Sequence, residues 1–382
     1  MSYLKFKADQ LFTGTTMLDD RTVLVAKPDG IIEDIISKDE AGEDVQYIKG
    51  ILCPGFINAH CHLELSHMKG LIPEHTGLVN FVLQVVQQRH LPEEIIKNAI
   101  ARAEDDMLAA GIVAVGDICN NTITISQKKA QRLTYHNFIE VSGWNPAFAN
   151  TRMQKSLEYY HLFHEAFPAH TSLTPHAPYS VADALWQLMH PYLTDQVVTI
   201  HNQETIAENE LFQKGTGDFI RLYEAMQISY TDFSASGTNS LPAYFKKLVN
   251  AKQVMLVHNS FINQGDIDEV LHYQTPVSFC LCPNANLYIE NVLPPVELLL
   301  KNNLNICIGT DSLASNHGLS ILEEIKTLQL HFKDVPLSVW LQAATLNGAK
   351  ALGMDDRLGS FEKGKKPGVL LLESNTKVTR LI

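Results

Sequence analysis

No apolar stretch in the 382-residue chain approaches the roughly 20 residues a membrane-spanning helix needs. Basic charge is also in short supply: 30 lysines and arginines face 42 aspartates and glutamates, a formal net charge of −12. A nucleic acid or an anionic membrane would select a basic face, so neither is expected as a partner. Cysteine is sparse. The six residues, at positions 53, 61, 119, 280, 282 and 307, fall mostly in apolar, strand-like segments, which favours buried free thiols over a disulfide framework. Low-complexity linkers and charge blocks are missing, and the start "MSYLKFKADQLF" has neither an apolar signal core nor a small-residue cleavage site. These absences lead us to expect a soluble, compact, cytoplasmic protein.

What is present is a change of texture. Residues 1–50 read as short strands and polar turns, with Asp29-Gly30 a strong hairpin dipeptide. From Gly55 onward, apolar strand candidates alternate with helical patterns: the segment before His60, then 111–119, 133–143, 171–180, 196–204, 253–260, 276–284 and 304–312. One intervening stretch, "LPEEIIKNAIARAEDDMLAAG", has Pro92 placed for a first helical turn and an apolar stripe through Ile96, Ala99, Ile100, Ala103 and Met107. Near-continuous apolar strands between helices imply a parallel sheet covered on both faces. Eight such units predict an α/β fold of the (β/α)8 TIM-barrel type, with a doubly wound open sheet as the alternative. The tail "RLGSFEKGKKPGVLLLES" returns to strand and turn. The expected domains are therefore a barrel over 52–351 and a small β-sandwich formed by both termini, 1–51 and 352–382.

Polar residues gather at the C-terminal ends of these strands: His60 and His62 after the first, His176 after the fourth, His201 on the fifth, His258 on the sixth, Asp311 after the eighth. In a barrel those ends form one rim, where the fold places its chemistry. Residues i and i+2 of a strand point the same way, so His60 and His62 can share a ligand. The pair proves little alone, because sixteen histidines in 382 residues yield roughly one His-x-His by chance. Recurrence at the same end of five strands is what chance rarely produces. Three imidazoles and a carboxylate suit one divalent ion, Zn²⁺ or Fe²⁺, which lowers the pKa of bound water toward about 7. Glu204, three residues past His201, is placed to move that water's proton; the alternative is a carboxylate stabilised at a helix N-terminus. His258 is either a further ligand or a hydrogen-bonding partner of the nucleophile. Asp311 can serve both the metal and the nucleophile.

"PGFINAHCHLE", "TPHAPYS", "HNQET", "LVHNS", "CPNANLYI", "GTDSLASN" and "AATLNGAKALGMDDRLGSFEKGK" together resemble the amidohydrolase superfamily, in its branch of nucleoside and nucleobase deaminases and triazine chlorohydrolases. The resemblance spans nearly the whole chain. It implies metal ligation by His60, His62, His201 and Asp311, polarisation of the attacking water by His258, proton transfer by Glu204 and a substrate contact from His176. No strand-four lysine matches the carbamylated ligand of two-metal members, so one ion is implied. Ala285 stands where the family usually has serine, a departure in the loop after strand seven.

His62-Leu63-Glu64 followed by "GTDSLASN", on a shortened C-terminus, is most similar to aminodeoxyfutalosine deaminases of menaquinone synthesis. The resemblance then implies metal-hydroxide attack at C6 of an aminopurine nucleoside with release of ammonia. Glu64 either binds that nucleoside or forms a salt bridge at the rim. A substrate carboxylate would need a cation, and Lys69, Arg89 and Arg152 are all candidates. The alternatives are a deaminase of S-adenosylhomocysteine, methylthioadenosine or adenosine, a triazine-type chlorohydrolase or aminohydrolase, and, least favoured, a non-catalytic barrel scaffold. A homodimer is a further implication of the resemblance. The cytidine-deaminase type is disfavoured because Cys280-Leu281-Cys282-Pro283 has the wrong order and spacing. A zincin is excluded by the lack of His-Glu-x-x-His. His161 and His164, one helical turn apart, read as a solvated helix surface.

Overall fold

The computed structural model describes residues 3–373 and 377–382. The near-continuous apolar runs form eight strands: β1 (Phe56–Cys61), β2 (Ile112–Cys119), β3 (Thr134–Val141), β4 (Thr171–Pro175), β5 (Val197–Asn202), β6 (Gln253–His258), β7 (Val277–Leu281) and β8 (Asn305–Ile308). Within β1 to β4 and within β5 to β8, successive strands pair through parallel ladders, as helical crossovers require.

The ladders form two parallel sheets of four, β1 to β4 and β5 to β8, and not the single closed barrel expected from the pattern. At both seams, side chains and isolated contacts replace the regular ladder. Between β4 and β5, Thr199 N–H donates to Thr174 Oγ1 at 2.9 Å and Ser172 Oγ donates to the Val197 carbonyl at 2.7 Å. Between β8 and β1 there is one parallel bridge, Cys61 with Asp311, and the Thr310 and Asp311 amides both donate to the His60 carbonyl, at 3.0 and 3.1 Å. The close approach there needs Gly309, where a Cβ would lie 2.8 Å from that of His60.

The helix expected after Pro92 runs Glu93–Ala109, with Pro92 just outside it, and Gly111 follows at φ 81°. Ile100, Ala103 and Met107 of its stripe are buried. The chain ends meet in one sheet: Val369–Glu373 pairs antiparallel with Ile51–Pro54, which pairs parallel with Gln10–Phe12. Phe6, Leu11, Leu24, Leu52, Phe361 and Leu371 form a core of their own beneath these strands. Among the described residues, no helix is long and apolar enough to cross a membrane. All six cysteines are free and buried. His161 and His164 lie exposed on the helix Ala149–Ala166.

Behind the first two strands lies a fully buried ion pair. Lys128 Nζ is 2.5 Å from Asp117 Oδ2 and donates to Asn137 Oδ1 at 2.8 Å, while Asp117 Oδ1 accepts the Leu63 amide at 2.8 Å. Burial opposes the Lys128 charge, but Asp117 outweighs it and raises the pKa. Lys128→Met would strand a buried carboxylate, so a loss of about 3–5 kcal/mol is expected in denaturant unfolding. Adding Asp117→Asn, which can keep the acceptor for Leu63, is expected to restore most of that loss.

Candidate metal and catalytic site

The site is built from strand ends. His60 is the penultimate residue of β1 and is 0% exposed; His62 follows two residues on; His201 is the penultimate residue of β5. One ring nitrogen from each of these three lies within 4.8 Å of the others. His62 Nε2 and His201 Nε2 are 3.2 Å apart. Asp311 Oδ1 stands 3.4 Å from His62 Nε2 and 3.7 Å from His60 Nε2, and Asp311 Oδ2 accepts a hydrogen bond from Ser315 Oγ at 2.5 Å.

The protonation pattern follows from the hydrogen bonds. His201 Nδ1 lies 2.8 Å from the carbonyl of His176, so in the neutral ring it carries the proton and leaves Nε2 as a lone pair. That lone pair faces His62 Nε2. Neither nitrogen of His60 has a hydrogen-bond partner, although the side chain is wholly buried. Burial drives these rings neutral: His62 is lowered to about 3 and His176 to about 4, and His60, His201 and His258 are lowered by the same cause. Burial would raise Asp311, but the imidazoles packed against it, His60 at 3.7 Å and His62 at 3.4 Å with His258 beyond them, outweigh it and hold the carboxyl well below the usual range. Neutral imidazoles beside an ionised carboxylate are the states that donate to a cation. The donor set therefore fits a metal ion.

His258 sits apart from this trio. Its ring centroid is 5.9 Å from that of His60 and 5.5 Å from that of His201. Nδ1 lies 3.1 Å from Asn286 Oδ1, which leaves Nε2 toward Glu204 Oε1 at 3.5 Å. Glu204 is buried, and burial, reinforced by the charge of Asp311, pushes its carboxyl well above the ordinary range. It immediately precedes Thr205, the residue before the helix Ile206–Lys214. Four non-glycine residues here adopt left-handed backbone: Gln203 (φ 47°), His258 (74°), Asn259 (61°) and Asp311 (55°). Such conformations cost free energy and persist only where the surroundings enforce them.

His176 is half-buried, with Nδ1 2.7 Å from Ser180 Oγ and its ring centroid 4.9 Å from that of His201. Glu64 is different. Arg89 Nη2 donates to Oε1 at 2.7 Å, and the Asn120 amide and Asn121 Nδ2 donate to Oε2 at 3.0 and 2.8 Å. Both oxygens are engaged within the protein, which is the salt-bridge reading of this residue. Burial raises Glu64 to about 7 against the opposing charge of Arg89. Among the three candidate cations, Lys69 and Arg152 are exposed, and Arg89 is the one held beside the site.

One buried carboxylate was not singled out from the sequence. Glu140, near the end of β3, has Oε2 accepting from Asn120 Nδ2 at 2.9 Å, while Oε1 has no hydrogen-bond partner and lies 3.7 Å from His201 Nδ1. The signal available was an acidic residue following Phe138 and Ile139 near the end of a strand.

The amidohydrolase family pattern matches residues 51–381. The chain belongs to the amidohydrolase family. It is thus a hydrolase. An aminodeoxyfutalosine deaminase of Nitratiruptor sp. is 25% identical over 379 residues, covering 95% of this chain and 89% of that protein. A crystal structure of Helicobacter pylori aminofutalosine deaminase with methylthio-coformycin superposes with a TM-score of 0.82 at 23% identity, covering 98% of this chain and 93% of the other. An adenosine deaminase from Xanthomonas campestris with bound zinc gives 0.75 at 22% identity, covering 98% and 85%.

Proposed function

We propose that this amidohydrolase is a metal-dependent deaminase of a 6-aminopurine nucleoside, with aminodeoxyfutalosine as its substrate. The observation that carries the reading is the convergence of three imidazoles and the Asp311 carboxyl beside the buried pair His258 and Glu204. His60, His62, His201 and Asp311 would hold one divalent ion, zinc or iron by the nature of the donors. When bound, that ion supplies a Lewis acid that makes water nucleophilic near neutral pH.

The chain's own residues do the rest. Glu204 takes the proton of the attacking water and delivers it to the ring nitrogen beside the attacked carbon. His258, its Nδ1 fixed by Asn286, presents Nε2 to the same water. A C–O bond forms at C6; Glu204 then takes the second proton, from the new hydroxyl, and gives it to the amino group, so the C–N bond breaks, ammonia leaves, and a C6 carbonyl beside a protonated ring nitrogen remains. His176, anchored by Ser180, is placed to contact the purine. The relatives' names support deamination of an adenine-type nucleoside. The choice of aminodeoxyfutalosine rests on the "HLE" motif and on the match in length with that relative, 89% of which is covered, against 82% of a methylthioadenosine/S-adenosylhomocysteine deaminase. The same reading makes 52–351 the catalytic unit, its two half-sheets closing as a (β/α)8 barrel. It makes 1–51 with 352–382 a separate β unit, supported by the pairing of Val369–Glu373 with Ile51–Pro54.

The test is a panel of aminodeoxyfutalosine, S-adenosylhomocysteine, methylthioadenosine and adenosine, followed by the ultraviolet change on loss of the 6-amino group and by ammonia release. Aminodeoxyfutalosine is expected to give a kcat/KM at least about 10-fold above the others, a difference of about 1.4 kcal/mol in transition-state binding. Faster turnover of S-adenosylhomocysteine or methylthioadenosine would overturn the substrate. No ammonia from any of them would overturn the class.

A further inference from the structure

Gln203 lies between a candidate metal ligand, His201, and the proposed proton carrier, Glu204. It is 0% exposed and adopts φ 47°, the left-handed region that a glutamine with a Cβ rarely occupies. Every polar group it has is engaged. Its amide donates to Glu208 Oε1 at 2.9 Å, and its carbonyl accepts from the Phe261 amide at 3.0 Å. Its Nε2 donates to Asn209 Oδ1 at 3.0 Å and to Asp266 Oδ2 at 2.9 Å, and its Oε1 accepts from Asn202 Nδ2 at 3.3 Å. A side chain so fully satisfied has no donor or acceptor left for a substrate. Its contribution is geometric.

The anchor is remote from the chemistry. Asp266 belongs to the helix Gln264–His272 that follows β6, and is 2% exposed. Its Oδ2 also accepts from Asn239 Nδ2 at 2.8 Å and from the Asn263 amide at 3.0 Å. The same network joins the ends of β5 and β6: the Asn259 amide donates to the Asn202 carbonyl at 2.9 Å, and Asn202 Nδ2 donates to Asn259 Oδ1 at 3.0 Å. Those two strand ends carry Glu204 and His258. The lattice of amides therefore spans the backbone on which both groups stand.

We propose that Gln203, anchored by Asp266, is a positioning residue that holds the Glu204 carboxyl against His258 by enforcing the left-handed turn at the end of β5. The inference rests on the role given above to Glu204. A purely structural reading of Asp266 also exists, since it completes a capping box with Asn263 at the start of its helix. The two readings differ in what they disturb. Loss of a cap lowers stability and leaves the turnover of folded enzyme unchanged; loss of the clamp lowers turnover at constant binding.

The experiment compares Gln203→Ala, Asp266→Ala and Glu204→Gln, singly and as the doubles Gln203→Ala/Glu204→Gln and Asp266→Ala/Glu204→Gln, with kcat expressed per bound metal. Asp266→Ala removes the acceptor of Gln203 Nε2 while leaving Gln203 in place, so it tests the anchor even where Gln203→Ala yields little soluble protein. The expected result is a kcat lowered about 10- to 100-fold in each single clamp variant, a KM within about 2-fold of the parent and one metal per chain. In the Glu204→Gln background neither clamp change should lower the residual rate further, because both act through the removed carboxylic acid. A multiplicative drop in the doubles, or a loss confined to KM or metal content, would overturn the clamp. Wild-type turnover in either single clamp variant would do the same, whereas wild-type turnover in Glu204→Gln would instead remove the reading on which the clamp rests.

Discussion

Glu204→Gln is expected to lower kcat by about 10²- to 10⁴-fold with little change in KM, the range that general acid–base catalysis contributes. Glutamine is close in size and keeps a hydrogen-bonding group near His258 Nε2, now 3.5 Å from Glu204 Oε1, but it cannot carry a proton from water to a ring nitrogen. The position is suited to that task. Burial, with the Asp311 charge behind it, raises the carboxyl far above its ordinary range, so its carboxylate takes a proton from the attacking water more readily than a solvent-exposed glutamate would. A group that gives up a proton only when the surrounding charge changes is what a carrier between nucleophile and leaving group requires. Metal content should be unaffected, since Glu204 is not among the three imidazoles whose nitrogens converge. Ammonia release in a single turnover, measured beside metal analysis of the same preparation, separates lost chemistry from lost metal. A variant within a few-fold of the parent would assign the proton transfer elsewhere.

How much of this was legible in the chain depends on distance along it. The gathering of His60, His62, His201 and Asp311 follows from strand periodicity and from parallel strands ending on one side, both of which a sequence displays. The strand positions themselves were equally readable, because parallel strands are apolar throughout. The seams were not. Whether β4 and β5 join through backbone or through Thr174 and Ser172 hydroxyls depends on local stagger that no pattern encodes. Glu64 shows the same limit. Its neighbours in sequence leave open whether it binds a substrate or forms a salt bridge, because its partners, Arg89, Asn120 and Asn121, lie 25, 56 and 57 residues away. Glu140 was hidden for the opposite reason, since one acidic residue at a strand end is unremarkable until His201 is seen 3.7 Å from it. The left-handed turn at Gln203 could not be read at all. A glycine or asparagine would have announced it, and here tertiary hydrogen bonds enforce it on a residue that avoids it.

His60 offers a test of the metal reading in which stability and activity move in opposite directions. Its ring is wholly buried, and neither nitrogen meets a hydrogen-bond partner within the protein. Each such group costs about 1–3 kcal/mol of lost solvation, and replacing it by an apolar side chain of similar volume removes that cost. His60→Leu is therefore expected to leave the chelated protein as stable as the parent or more so, by denaturant unfolding. With metal the order should reverse. The parent gains stability by mass action, about 4 kcal/mol at a thousand times the dissociation constant, and a variant lacking one ligand gains far less. Activity should fall at least about 10³-fold, since ground-state order is kept while the Lewis acid is lost. Were His60 only a packed core residue, the chelated variant would lose stability through misfit and metal would stabilise both proteins alike. The sign of the change in the metal-free form thus separates a ligand, whose burial is a burden until a cation shares its lone pair, from a structural histidine, whose burial is already satisfied.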